Sequence, residues 1–162
     1  MSAWAAALAA SPLAVGLRAS AWAYPAAEIV HLAGMALLFG SIVVVDLRLA
    51  GLARQLPVTV LLRHALPAAL AGFVCIVISG ALLFIAHADE LIGNRAFLFK
   101  LGLIALGLAN ALWFHRGPYR RLHGNLSWEM QTAPPPLARL CAVLSILTWF
   151  LVICAGRLIA YV

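Results

Sequence analysis

Glu28 and His31 stand three residues apart in "YPAAEIVHLAGMALLFGSIVVVDLRLAGL", inside a run otherwise apolar enough to cross a bilayer. That spacing puts both on one face of a helix. An ionisable group within lipid costs free energy, so one found there faces a bundle interior and has a task. A carboxylate and an imidazole at this spacing supply part of a di-iron centre, which needs a second E-x-x-H and two further glutamates. Glu129 is the only other glutamate outside the "HADELIGNR" connection, so that ligand set is incomplete. No G-x-S-x-G elbow and no phosphate-binding G-x-x-x-x-G-K-[ST] loop occurs. Cys75, Cys141 and Cys154 lie singly in apolar runs, as small packing residues without C-x-x-C spacing. The chemistry therefore rests on the histidines, of which His64, His87, His115 and His123 are the others.

The elements that must position them are membrane helices. Of the 162 residues, 65% are hydrophobic and 10% charged, and the mean hydropathy is +1.05. A soluble domain is about half apolar and a quarter charged, so no water-soluble core accommodates this composition. Four runs reach the ~20 apolar residues that a spanning helix needs: about 25–45, 60–86, 96–115 and 137–159. The fold class is an all-α, integral membrane four-helix bundle forming one domain over residues 1–162. The net charge of +6 belongs to residues at the ends of these runs, where it reports topology rather than nucleic-acid binding. Arg48, Arg54 and Arg63 flank the first connection, and Arg116, Arg120, Arg121 and Arg139 the third, whereas the second carries Asp89 and Glu90. The positive-inside rule then predicts both termini on the non-cytoplasmic side. The N-terminal "MSAWAAALAASPLAVG" lacks a basic start and is read as retained. Ser11-Pro12 predicts an interfacial helix over 12–20, with Trp4 and Trp22 as headgroup anchors. Glycines along the spans favour close helix approach, and Pro67 predicts a kink or an end to the first turn of the second span.

With that topology each histidine acquires a depth. His31 lies ~9 Å below one surface, with His87 near the same surface; His64 lies ~6 Å below the other, with His115 at its level. Imidazoles from different helices at one depth are what a haem requires, one above and one below the iron. Two such levels predict one or two haem b groups, with the histidine side chains as iron ligands and Lys100 and Arg157 near the propionates. Lys100 has two other readings, snorkelling outward or pairing with Glu28. His64, His87 and His115 each carry the alternative of a solvated residue at a helix end. His123, in a polar loop, reads as solvated. Asn110 and Ser79 read as interhelical hydrogen-bonding groups, and Asp46 with Arg48 and Arg63 as an interfacial charge cluster, a proton gate or the partner of a propionate.

The segments "YPAAEIVHLAGMALLFGSIVVVDLRLAGL", "AFLFKLGLIALGLANALWFH" and "AGRLIAYV" resemble an uncharacterised family of small bacterial four-helix membrane proteins. The third span is similar to the copper-resistance protein D family, and the architecture is distantly similar to cytochrome b561. The last resemblance implies two b-type haems held by histidine pairs on successive helices. Here the fourth span has no histidine, so the second span would serve both levels. The expected function is a b-type cytochrome-like electron-transfer component of the inner membrane, exchanging electrons with a quinone and a redox partner. Two alternatives stand beside it. One is a cofactor-free accessory subunit of a larger membrane complex. The other is a copper-resistance-type metal or solute transporter with His31, Glu28 and Met35 at its entry.

Overall fold

The computed structural model describes residues 3–120, 129–130 and 132–161. His123 falls outside them. Two short helices, α1 (Ala3–Ala9) and α2 (Pro12–Ala19), precede the long α3 (Ala23–Ala50) and α4 (Val58–Ala86). The single turn α5 (Ala88–Leu91) leads to α6 (Arg95–Arg116), and α7 (Pro136–Leu158) closes the chain. No strand occurs among the described residues. Helices α3, α4, α6 and α7 are long and apolar enough to span a membrane, within a few residues of the runs read from hydropathy. The apolar α1 is an additional helix.

Local chemistry explains the ends. Ser11 caps α2 by accepting from Ala14 N at 3.3 Å, with proline at the first helical position. Arg18 at the end of α2 donates to Ala9 O at 2.8 Å and to Ala86 O, so it satisfies carbonyls at the ends of α1 and α4. Asn94 caps α6 by accepting from Phe97 N at 3.0 Å, and its Nδ2 donates to Ile159 O at 3.1 Å. Both chain ends thus lie at one end of the bundle, called the terminal end below.

The opposite end carries the arginines and is called the basic end. There α3 runs on to Ala50 and stops at Gly51, whose φ of 112° is a left-handed cap that glycine adopts without strain. Its last turns are buried rather than interfacial. Arg48 is 1% exposed, and its fork donates to Leu56 O at 2.7 Å, Glu129 O at 3.0 Å and Arg54 O at 3.3 Å. Glu129 in turn caps α4, its Oε1 accepting from Thr59 N at 3.0 Å. One guanidinium and one carboxylate therefore tie both connections of the basic end to α3 and α4. The expected charge cluster dissolves: Arg48 bonds backbone carbonyls, Arg63 is exposed, and Asp46 turns inward. The helix α4 also runs unbroken through Pro67.

Antiparallel α3 and α4 approach closely where Gly34 meets Gly72: a Cβ on Gly72 would lie 2.7 Å from Leu38 N and 2.8 Å from Gly34 O. Close backbone approach is how membrane helices gain dispersion contact without a hydrophobic drive between them. Helix α7 packs on both α3 and α6, while α4 and α6 stay apart over most of their length. At the terminal end Phe84 and Phe97 stack across that gap, with ring centroids 5.5 Å apart. Toward the basic end it stays open.

Candidate functional site

Two chambers within the bundle, among the described residues, hold ionisable side chains. The smaller, of about 30 Å³, lies in the terminal half and is lined by His31, Met35 and Lys100 among apolar neighbours. His31 is half-buried, its ring seated against Gly80, where a Cβ would come 3.1 Å from Cε1. Its Nδ1 lies 3.0 Å from Ser79 Oγ, and that hydroxyl lies 2.6 Å from Cys75 O. A serine has one proton to donate and a carbonyl can only accept, so the hydroxyl donates to Cys75 O and His31 Nδ1–H donates to Oγ. The neutral ring therefore presents the lone pair of Nε2. Lys100 reaches the same chamber by lying over Gly156, whose Cβ would fall 3.2 Å from Nζ. The volume suits about one water molecule.

The larger chamber is a groove of about 340 Å³ toward the basic end. Its floor is α3 and α7, its walls are α4 and α6, and it opens sideways past Leu66, Leu70 and Leu108, all exposed. Among its apolar walls stand Ser41, Asp46, Asn110, His115 and Ser145. Asp46 is 7% exposed, faces Ser145 and Cys141 of α7, and leaves Oδ2 with no hydrogen-bond partner. Asn110 Nδ2 donates to Cys141 O at 2.9 Å, which leaves its Oδ1 as an acceptor. His115 Nδ1 is 2.8 Å from Ala111 O, so in the neutral ring it too presents Nε2 as an acceptor. The polar lining is thus rich in acceptors around a buried carboxyl group.

These positions can be set against the depth-matched histidines. His87 caps the end of α4 edge-on to Tyr24, with centroids 5.3 Å apart. It lies outside the His31 chamber, and Tyr24 is seven residues from His31, ~10 Å along α3. His64 is exposed and bonds Val60 O of its own helix at 2.8 Å. His115 alone of the basic-end pair reaches the groove. Neither pair faces across a common slot. Lys100 joins His31 rather than Glu28, which is exposed outside the chamber. Arg157 is engaged at the terminal end, donating to Tyr161 Oη at 2.7 Å with its guanidinium over that ring. Among the described residues no cluster of three or more His, Cys, Asp or Glu side chains stands ready for a metal. Ser79 and Asn110 do make interhelical hydrogen bonds.

Sequence reasoning offered Asp46 only together with Arg48 and Arg63, and it did not single out Trp149. A carboxylate close to a cluster of arginines reads as surface charge, whereas its burial follows from the azimuth of α3. The one available signal was Gly107 in the third span: its absent side chain leaves the space that Trp149 fills, a Cβ there falling 3.2 Å from the indole.

Residues 19–162 match a family of unknown function, DUF6644, and the chain belongs to that family. No curated protein and no solved structure matches it, and no similarity to copper-resistance protein D or to cytochrome b561 is found.

Proposed function

Starting from membership of a family with no assigned activity, we propose that this membrane protein binds a lipid-soluble quinol in the groove between α4 and α6. The single observation that carries this reading is the buried, unpartnered carboxyl oxygen of Asp46 in an otherwise apolar, side-opening chamber. A buried acceptor left unpaired costs ~1–3 kcal/mol, and such a group in a native fold calls for a partner. A quinol supplies one. Its hydroxyls donate to Asp46 Oδ2 and to Asn110 Oδ1 or His115 Nε2, while its isoprenoid tail leaves into lipid past Leu66, Leu70 and Leu108. The oxidised quinone has only carbonyl acceptors and cannot donate to Asp46 Oδ2, so that contact favours the reduced form. The volume falls within the ~300–1,000 Å³ usual for ligand pockets.

In this reading the protein is an electron-transfer component that presents quinol to a redox partner or larger complex. It lies in the inner membrane, with the basic end cytoplasmic as the positive-inside rule expects. The test is quinol titration of the protein in lipid nanodiscs, followed by tryptophan fluorescence. Saturable quenching by a short-chain quinol, weakened at least about tenfold by Asp46→Asn and by oxidation of the ligand, is expected from the loss of a buried carboxyl acceptor. Equal binding of both redox forms, or none, overturns the reading.

A second reading keeps the haem. His115 lines the groove with Nδ1 engaged on Ala111 O, the tautomer that leaves Nε2 for an iron. It supplies one axial ligand there rather than a histidine pair. A dithionite-reduced minus oxidised spectrum decides between the occupants: b-type bands lost in His115→Ala support haem, and a colourless protein removes it.

A further inference from the structure

The two chambers touch the same three side chains. Leu38 of α3, Phe73 of α4 and Trp149 of α7 line both the His31 chamber and the Asp46 groove. Along α3, Leu38 stands seven residues from His31 and eight from Asp46, midway along a path of ~22 Å. Leu38 and Trp149 are buried, at 6% and 7% exposure. The indole is held in the layer because Gly107 of α6 gives it room. Apolar constrictions of this kind close a pathway by excluding water.

We infer that Leu38, Phe73 and Trp149 form an apolar gate between two proton-holding chambers, and that the species passing it is the proton. The chemistry of the flanking groups argues for that species. His31 faces Ser79 and Gly80 of α4 and Lys100 of α6, with only apolar side chains from α7. Asp46 faces Ser145 and Cys141 of α7, Asn110 and His115 of α6, and apolar residues of α4. A chamber of about 30 Å³ admits a water and excludes a solute of any size. Titratable groups inside a membrane mark proton relays. When the indole moves and waters join the chambers, Asp46 gives the proton of its carboxyl group to that water chain and takes another from water at the basic end. A water of that chain, in the chamber that Lys100 lines with His31, then delivers a proton to His31 Nε2. The imidazolium returns to neutral by releasing it to water at the terminal end. Ser79 keeps the ring in the tautomer that accepts at Nε2. The inference goes beyond quinol binding and draws on a different cavity.

The test is proton flux into liposomes holding the full-length protein and an internal pH dye, under a valinomycin-set potassium potential. Wild-type vesicles should be nearly tight, and Trp149→Ala should raise flux about tenfold or more by wetting the constriction. Adding Asp46→Asn or His31→Gln to Trp149→Ala should return flux to the wild-type level. Phe73→Ala, in the same layer, serves if Trp149→Ala does not fold. Flux unchanged in the folded gate variant overturns the inference, as does flux that persists without Asp46 and His31. Quinol titration of the same preparations, read separately, tells failure of the gate from failure of the groove.

Discussion

His31 of α3 and Ser79 of α4 are joined by a 3.0 Å contact between Nδ1 and Oγ, and the serine passes its own proton on to Cys75 O. The relationship is directional. A carbonyl at the end of the chain forces every donor in it to point one way, so a backbone oxygen of α4 selects the tautomer of an imidazole on α3. The active nitrogen of His31 is thereby chosen by a residue that touches no chamber.

Ser79→Ala removes the Oγ acceptor that joins His31 Nδ1 of α3 to α4. The expected loss is ~1–3 kcal/mol of stability, read as a lower unfolding midpoint in detergent. In ¹⁵N-labelled protein the His31 ring should appear as the Nδ1–H tautomer in the wild type and as a mixture in the variant. An Nε2–H ring in the wild type would refute the assignment.

Gly72→Ala should separate α3 from α4, because the added carbon would meet backbone atoms 2.7 and 2.8 Å away, which cannot rotate aside. Overpacking of this kind costs ~1–3 kcal/mol or more. Gly102→Ala is the control, since nothing lies within 4 Å of its Cβ position. Comparable thermal melts for the two variants would contradict the close crossing.

Arg48→Lys keeps the charge but loses the planar fork that reaches Leu56 O, Arg54 O and Glu129 O. Two of those carbonyls lie on one connection and the third on the other. Stability should fall by ~2 kcal/mol or more, since buried acceptors lose their donors. Limited proteolysis should open the basic-end connections before the terminal end. Wild-type protection in the variant would show that other contacts hold these loops.

Asp46→Leu exchanges a buried carboxyl with one unpartnered oxygen for a group the surroundings solvate well. The ligand-free variant should melt higher, by the equivalent of ~1 kcal/mol or more, while quinol binding is lost. A residue that lowers stability and serves function behaves in this opposed way. A variant that melts lower and binds normally would assign Asp46 a structural role.

Much of the scaffold was legible in the chain. Spans at 25–45, 60–86, 96–115 and 137–159 became α3, α4, α6 and α7 because each bilayer crossing needs a long apolar run, and a run that long is visible in one dimension. The Ser11–Pro12 start of α2 was legible too, since a capping side chain acts within one turn. The first span proved longer than its apolar stretch because Asp46 and Arg48 are covered by protein, so hydropathy ended the helix too early.

Depth followed from sequence, and direction did not. A residue's distance along a helix is a count multiplied by a fixed rise, so His64 and His115 could be set at one level from the sequence alone. Each residue also turns ~100° about the axis, and which side meets another helix depends on packing among all four. That packing turned His64 out onto its own helix and kept His87 beside Tyr24. It brought His31 to Ser79 and buried Asp46 against Ser145. The sequence by itself determined that this is a four-span membrane protein with ionisable groups near both faces. Only the tertiary structure decided which of them share a chamber, because the glycines at 34, 72, 80, 107 and 156 fix the helix approach and the seats of the side chains they receive.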